Sequence, residues 1–324
     1  MTQNKHFKAL VRTRVVKTGE SYSIARSQIL GTLKAISPQV IAEFKAHDKH
    51  ATTVSFVPGR PELVSGGFSG QARIWSTSDW AMVGELVGHT ASVNAFGISG
   101  DGKRAITASS DKTVRLWNLA ERQELAILGH HSKPVVAVDL STDGALAATG
   151  SYDGNVRLWS IADQSELSRA RIGERVASVA FHPYKPWLAV ANVTSDIAII
   201  GHEGNVVSSV STTSPVSAAG WSGDGEFLIG VGGDQIRLWS GDDWDEVRSI
   251  KVDAKWITSY ASNRDSSLIA IGWDHHVSLW RVDNDEPVAA IDGLPKGVYG
   301  LDFSPDGKLL GLGCADGRVR VWAL

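Results

Sequence analysis

The chain has 324 residues, 43% of them hydrophobic, which is enough for a large core, and its formal net charge is −3. So small a net charge argues against a polyanion-binding protein that acts through bulk electrostatics. The single cysteine, Cys314, excludes an internal disulfide and suggests a reducing compartment. The N-terminus has no signal-peptide core, and no apolar run approaches the roughly 18 residues of a membrane helix. We therefore predict a soluble cytoplasmic protein that does not bind membranes.

The first segment, residues 1–37, is basic and has helical periodicity. Its Lys and Arg residues outnumber its one acid, Glu20, so the segment carries about +6 and the remainder about −9. Apolar residues recur at helical spacing over residues 4–17 and about 22–34, and Thr18–Ser21 supplies a helix stop and a cap between them. Two such short helices need a surface to pack on. We predict a helical hairpin.

The Thr18-Gly19-Glu20-Ser21 turn resembles the helical segment of bacterial antitoxins that bind DNA as ribbon-helix-helix dimers. The resemblance covers about 25 residues, and no clear β-strand precedes Phe7, as that fold would need. It implies a bacterial source and DNA binding by the basic segment. The interpretation we favour is a small cap or a hairpin that docks on a partner, with DNA binding as the alternative.

From Gln39 onward the pattern changes to short strands and glycine turns. One element recurs: a pair of turn residues, an alternating strand and a terminal tryptophan. Its repetition every 40 to 45 residues is typical of a radial array. A degenerate copy has Ile200 in the tryptophan position and brings the number of units to seven. The other copies are Ser69–Trp75, Ser110–Asn118, Tyr152–Ser160, Gly233–Trp239, Trp273–Trp280 and Ala315–Trp322.

These units resemble the repeats of WD40 proteins. The Gly-His mark of that family appears at Gly88-His89 and Gly129-His130, with Ala46-His47 as a variant. Its terminal Trp-Asp dipeptide is relaxed here to Trp-Asn, Trp-Ser, Trp-Arg or Trp-Ala. The resemblance implies an all-β fold, with one seven-bladed β-propeller over residues 38–324 behind the helical hairpin of residues 1–37.

The start of the repeat region predicts how the ring closes. Gln39–His47 matches Ala81–His89, the segment that precedes the second unit, and is therefore a spare outer strand. The last unit ends at Leu324, just after a third strand. Placing the spare strand on the last blade closes the ring and removes an exposed sheet edge.

Two sets of polar residues look like catalytic triads but recur in successive units. The resemblance to WD40 proteins implies instead a structural hydrogen-bond relay, from Trp through Ser or Thr and His to Asp, inside each blade. Such a relay satisfies buried N–H donors that would otherwise cost about 1–3 kcal/mol each. Repetition favours this role, because catalysis needs one site. The predicted relay residues are His89, Thr107, Asp111 and Trp117 in the second unit and His130, Thr149, Asp153 and Trp159 in the third.

We predict no catalytic residue, no metal site and no cofactor. Gly97–Lys103 fits the start of a phosphate loop, but Arg104 replaces the Ser or Thr that would hold magnesium, and the segment is a hairpin turn. The pairs His130-His131 and His275-His276 lack a Cys or carboxylate cluster at ligand spacing. Cys314 has no local base motif and is predicted to be a small core residue.

In WD40 proteins the partner surface is often the narrow face around the central channel. It is built from the residue before each turn Asp and from two residues near the start of each first strand. Transferring these positions to the sixth, seventh and first units, which ring closure makes neighbours, gives a cluster of aromatic residues. Large aromatics without a packing role are enriched in binding hot spots. The predicted partner-binding residues are Trp256, Trp273, Tyr299, Phe68 and His50, with Tyr152 in the third unit and Arg175 in the fourth. The position before the turn Asp in the fourth unit is Ser195.

We therefore expect a non-enzymatic scaffold that presents these aromatic residues to a protein or peptide. Two other roles for the aromatics remain open: they pack over the channel mouth, or they pack beneath the N-terminal hairpin. The alternative function is a DNA-associated regulator that binds through the basic hairpin. A propeller enzyme would need a unique polar cluster at the channel mouth, and the sequence shows none.

Overall fold

The computed structural model describes residues 36–194, 196–212, 214–254, 256–263, 267–282, 284 and 286–324. The predicted helical hairpin of residues 1–37 lies outside these ranges, apart from its last two residues. Within them the chain forms 28 strands and no helix, which confirms the all-β prediction. The strands form seven four-stranded antiparallel sheets, the blades of the predicted β-propeller.

The blades follow one another along the chain. Strand β1 (Gln39–Lys45) comes first. Blade 1 contains β2 (Ala51–Phe56), β3 (Glu62–Gly67), β4 (Ala72–Ser76) and β5 (Met82–Leu86). Blade 2 contains β6 (Val93–Ile98), β7 (Arg104–Ser109), β8 (Thr113–Asn118) and β9 (Gln123–His130). Blade 3 contains β10 (Val135–Leu140), β11 (Leu146–Ser151), β12 (Asn155–Ser160) and β13 (Ser165–Arg171).

The later blades repeat this arrangement. Blade 4 contains β14 (Val176–Phe181), β15 (Trp187–Asn192), β16 (Asp196–Gly201) and β17 (Val206–Ser211). Blade 5 contains β18 (Ala218–Trp221), β19 (Phe227–Gly232), β20 (Gln235–Ser240) and β21 (Glu246–Lys251). Blade 6 contains β22 (Ser259–Ser262), β23 (Ile269–Trp273), β24 (His276–Trp280) and β25 (Ala289–Ile291). Blade 7 contains β26 (Val298–Phe303), β27 (Leu309–Cys314), β28 (Arg318–Ala323) and, as its outer strand, β1.

The first strand of each blade lies innermost, and these strands contact one another around the ring. The second strands are buried along nearly their whole length, as in β7 and β11, whereas outer strand β13 alternates between exposed and half-buried residues. This difference arises because neighbouring blades cover both faces of the inner strands, which therefore consist mainly of small and apolar residues. The core is therefore a ring of hydrophobic clusters between blades.

Strand β1 closes the ring as the sequence predicted. It pairs antiparallel with β28, from Gln39 opposite Ala323 to Lys45 opposite Arg318. The Phe44 ring packs against Trp75 of blade 1 with 4.6 Å between ring centroids. The first strand of the propeller therefore joins its last blade to its first.

The turns between first and second strands form one face of the ring, here called the turn face. Four of them share a Ser-x-Asp-Gly sequence with the same hydrogen bonds. In blade 2 the Ser99 hydroxyl donates to Asp101 at 2.6 Å, and Asp101 accepts the Lys103 N–H at 3.0 Å. Gly102 supplies the φ of 66° that the turn requires. The opposite face, where the first strands begin, is the narrow face.

Candidate functional site

The relay predicted for the second unit is present inside blade 2. Thr107 accepts the Trp117 indole N–H at 2.9 Å, and its hydroxyl is 2.6 Å from His89 Nε2. The other ring nitrogen, His89 Nδ1, lies 2.7 Å from Asp111 Oδ2. Strands β7 and β8 position Thr107 and Trp117 side by side, while the loops at the narrow face bring in His89 and Asp111. The His89, Thr107, Asp111 and Trp117 side chains of this relay are thus joined in one series of hydrogen bonds.

The electrostatics of this relay favour a neutral histidine beside an ionised aspartate. Burial would raise the pKa of Asp111, but hydrogen bonds from Thr113, His89 and Thr90 hold it at about 2. Burial lowers the pKa of His89, and its hydrogen bond to Asp111 offsets that effect only in part. The aspartate therefore holds the imidazole in one orientation.

The relay of blade 3 uses His131, so the prediction of His130 is wrong. His131 Nε2 lies 2.9 Å from the Thr149 hydroxyl, and His131 Nδ1 lies 3.1 Å from Asp153. Thr149 also accepts the Trp159 N–H at 3.1 Å. His130 is exposed and is the last residue of β9.

The physical reason is an irregularity in β9. The register of its pairing with β8 shifts between Val114 and Arg115, so β9 runs to eight residues, and the Gly-His pair lies one position earlier than in blade 1. The constant feature is a buried leucine three residues before the relay histidine: Leu86 before His89, and Leu128 before His131. That spacing is the sequence signal that identifies His131.

Blade 1 contains a shorter relay that the sequence did not reveal. Ser65 accepts the Trp75 N–H at 2.8 Å, and its hydroxyl is 2.8 Å from His47 Nε2. No carboxylate completes it, because Ser69 stands where the other units have Asp. His47 Nδ1 makes no hydrogen bond of normal geometry, and burial, aided by the charge of Arg73, lowers the pKa of His47 to about 4.

Blade 7 replaces the relay with an ion-pair network. Leu312 faces Arg320 in the ladder, where Thr107 faces Arg115 in blade 2, so the hydroxyl is missing. The buried Arg320 guanidinium instead lies 2.7 Å from Asp316 and 3.3 Å from Glu43 of β1. Burial raises the pKa of nearby Cys314 to about 11, so this cysteine stays a neutral thiol.

Three of the predicted aromatic residues form one group on the narrow face, here called the aromatic triad: His50, Phe68 and Tyr299. The His50 ring stacks on Tyr299 with 5.4 Å between centroids and lies 5.4 Å from Phe68. Phe68 is 50% exposed and Tyr299 43%. The Phe68 N–H donates to the His50 carbonyl at 3.0 Å, which fixes the two backbones together. The triad lies where blade 7 meets blade 1.

Trp256 and Trp273, the other two predicted aromatic residues of this region, differ in how far their side chains are exposed. Trp256 is 55% exposed at the start of blade 6. Trp273 is half-buried, stacks on His276 at 5.8 Å and packs against the hydrophobic cluster between blades 5 and 6. The reason is a two-residue hairpin loop in blade 6, in which Trp273 pairs with His276 and takes the place that Gly67 has in blade 1. Trp273 therefore lies one position short of the one that Phe68 occupies.

Tyr152 and Arg175 form a second feature of the narrow face. The Arg175 guanidinium lies 4.1 Å from the centre of the Tyr152 ring, a cation–π contact between blades 3 and 4. Ser195, the other residue expected here, lies outside the described residues. Its expected position belongs to Val193, whose N–H donates to the Arg175 carbonyl at 3.1 Å. Arg175 is exposed.

We also searched the described part of the chain for a metal site and for a membrane-spanning helix. Its His, Cys, Asp and Glu residues form no group of three or more suited to a metal ion. No helix in the described ranges is long and apolar enough to cross a membrane. The predicted absence of a cofactor stays a prediction.

The closed ring of four-stranded sheets defines a class of protein: a seven-bladed β-propeller that contains WD40 repeats. Four segments match the family model "WD domain, G-beta repeat", at residues 38–76, 80–118, 122–160 and 286–323. Each begins at or just before an outer strand and ends at a third strand, so one sequence repeat joins two neighbouring blades. Because each sequence repeat begins with an outer strand, the first repeat supplies β1 as the outer strand of blade 7.

Individual relatives are similar over short stretches. The human kinesin-like protein KIF21B is 38% identical over 66 residues, which is 20% of this chain and 4% of that protein. The WD repeat-containing protein VIP3 of Arabidopsis thaliana is 30% identical over 98 residues, 30% of each chain. The human serine-threonine kinase receptor-associated protein is 26% identical over 116 residues, 36% of this chain and 33% of that protein. The alignments thus span at most about a third of these relatives, all of which are eukaryotic.

Proposed function

We propose that this protein is a non-enzymatic scaffold that binds a peptide or protein partner on its narrow face. WD40-repeat proteins generally act as protein-interaction scaffolds, which supports the class of function. The observation that carries the proposal is the aromatic triad, in which the His50 ring contacts both Phe68 and Tyr299 and these two side chains are about half exposed. Aromatic side chains in such positions are the residue types that dominate binding energy at interfaces.

The triad is also pre-ordered, which supports binding. A hydrogen bond joins the backbones of Phe68 and His50, and the His50 ring stacks on Tyr299 and packs at a tilt against Phe68. A partner therefore loses little free energy in ordering these side chains, a cost of about 0.5–1.5 kcal/mol per mobile side chain elsewhere. Trp256 extends the apolar area on the next blade, while Lys49, 5.6 Å from the Phe68 ring centre, and Arg175 add positive charge. These features suit an apolar segment with an acidic flank.

Capture from native lysate tests this proposal when wild type is compared with Phe68→Ala/Tyr299→Ala. The matched control is Tyr184→Ala, which removes an aromatic side chain that is 74% exposed on the turn face. We expect a partner that the control retains and the double variant loses, with a decrease in affinity of at least about tenfold, since hot-spot truncations cost 2 kcal/mol or more. Identical captures by all three proteins would contradict the proposal.

The second candidate is a DNA-associated regulator, favoured by the charge of about +6 on residues 1–37 against about −9 on the rest. Phosphate contacts make affinity fall steeply as salt rises. The test is DNA binding of the full chain across a salt series, beside the chain from residue 38 onward. Binding that is absent, or is equal in both proteins, excludes the hairpin as a DNA-binding arm.

A further inference from the structure

The central channel widens at the turn face into a cavity of about 630 Å³. Residues from blades 2 to 6 line it, and several belong to the turns themselves, among them Thr142 and Pro183. The aromatic triad lies at the other end of the first strands. This cavity is therefore a separate site from the narrow-face surface proposed above.

One charged side chain lines the cavity among the described residues, Asp139 of β10. Its two carboxylate oxygens accept the backbone N–H groups of Leu140 and Phe181, each at 2.8 Å. An ionised carboxylate offers about four acceptor positions, so roughly two remain for a ligand. Burial raises the pKa of Asp139 to about 6, so the carboxylate is mostly ionised at neutral pH. The cavity thus contains a half-buried negative charge with acceptor capacity left.

The remaining lining combines apolar walls with a few hydroxyls. Phe181 and Trp221 belong to the wall, and Ser178 and Ser262 contribute hydroxyl groups. The Tyr260 hydroxyl is buried, and the hydroxyl of Ser262 is the polar group that interacts with it. A buried tyrosine hydroxyl usually has a partner, since an unmade bond costs about 1–3 kcal/mol. Ser262 has that role here, so the two hydroxyls together form a polar part of the lining.

Glycine makes room for that tyrosine. A Cβ atom on Gly220 would lie 3.2 Å from the Tyr260 hydroxyl and ring edge, closer than most side-chain contacts. Gly220 therefore allows Tyr260 to lie against the neighbouring blade as part of the cavity lining. The combination of one carboxylate, a few hydroxyls and aromatic walls restricts the ligand chemistry.

We propose that this cavity binds a small organic cation, a primary amine or guanidinium with an apolar or aromatic body. The ammonium group pairs with Asp139, and the apolar body contacts Phe181 and Trp221. An anion would meet the Asp139 charge with no cation beside it in the described lining. A bare metal ion would need further carboxylate or imidazole ligands, which the described lining lacks.

Isothermal titration of the full chain with benzylamine tests the proposal, with benzyl alcohol as the neutral analogue and benzoate as the anionic one. We expect binding of benzylamine only. Asp139→Asn removes the charge while keeping an acceptor for the Phe181 N–H, and we expect at least a tenfold loss of affinity, as for a charge-assisted hydrogen bond.

The matched control is Asp302→Asn in blade 7. Asp302 has the same position in its blade and accepts the Phe56 N–H at 2.7 Å, but it does not line the cavity. We expect this variant to bind benzylamine as the wild type does. Three results would overturn the proposal: no binding of benzylamine by the wild type, binding of benzyl alcohol with equal affinity, or equal losses in the Asp139 and Asp302 variants.

Discussion

The relay residues show which polar groups in this molecule have structural roles. The blade 2 relay gives the buried donors of His89 and Trp117 acceptors on Thr107 and Asp111. Its equivalent recurs in blade 3 and, shortened, in blade 1. Repetition of one arrangement in several blades is a requirement of the fold, whereas a reaction needs a single site. We infer that these histidines stabilise blades and carry no chemistry.

Two adjacent histidines allow a direct test of the corrected relay. His131→Ala removes the partner of Thr149 and leaves the Asp153 carboxylate without its imidazole, so we expect a loss of about 1–3 kcal/mol in the free energy of unfolding. His130→Ala changes an exposed side chain, and we expect an effect within about 0.5 kcal/mol. Urea denaturation of both variants measures the difference. Equal losses would contradict the assignment.

A buried carboxylate predicts the pH dependence of stability. Burial raises the pKa of Asp302 to about 7 from 3.8. Between these values the folded state keeps a proton that the unfolded state releases, so the contribution of Asp302 to stability falls as the pH rises. Asp302→Asn removes the buried charge and keeps an acceptor for the Phe56 N–H. We expect its stability relative to wild type to increase by roughly 1–3 kcal/mol from pH 5 to pH 8.

Urea denaturation of wild type and Asp302→Asn at the two pH values provides the measurement. Lys308→Gln, which changes an exposed charge in the same blade, is the control for general charge effects. If the difference in the free energy of unfolding between Asp302→Asn and wild type is the same at both pH values, Asp302 does not titrate in this range.

At the scale of single elements, β1 is the strand on which closure of the ring depends. It lies on β28, and its Glu43 meets the buried Arg320 while Phe44 packs against blade 1. Its removal would expose the β28 edge and leave Arg320 with one carboxylate partner fewer. Strand β1 therefore stabilises the ring both by backbone pairing and by these side chains.

Two truncated chains distinguish the contribution of β1 to folding from that of residues 1–37 before it. We expect the chain without residues 1–47 to give no soluble monomer, because blade 7 loses its outer strand. The chain without residues 1–37 keeps β1, and we expect it to remain a folded monomer. Gel filtration and circular dichroism compare the two proteins. A stable, monodisperse product lacking residues 1–47 would refute the role of β1 in closure.

The sequence predicted the elements better than it predicted their exact register. Strands, Asp-Gly turns and the position of β1 followed from alternation and spacing. The long β9 and the short loop of blade 6 did not. Strand β9 is one residue longer than β13, and the blade 6 loop is one residue shorter than those of blades 2 and 3. A one-residue shift turns side chains to another face. These two shifts account for the errors at His130 and for the placement of Trp273.

At the scale of the whole molecule, the period of the repeats predicted seven blades and one closed ring, because each unit needs neighbours on both sides to bury its faces. Pairwise contacts between blades were beyond prediction. The stacking of His50 on Tyr299 and of Arg175 on Tyr152 depends on the angle between neighbouring blades, which no local pattern encodes. The ring presents two chemically different openings, an aromatic narrow face and an acidic cavity at the turn face.

The most direct test of the proposed scaffold function is site-specific photo-crosslinking in native cells. A benzophenone amino acid replaces Phe68 on the narrow face or, as the matched control, Tyr184 on the turn face, both at well-exposed positions. We expect a partner to be crosslinked from position 68 and not from position 184, with mass spectrometry locating the adduct. Crosslinking of a partner from position 184 alone, or equally from both positions, would contradict a narrow-face binding site.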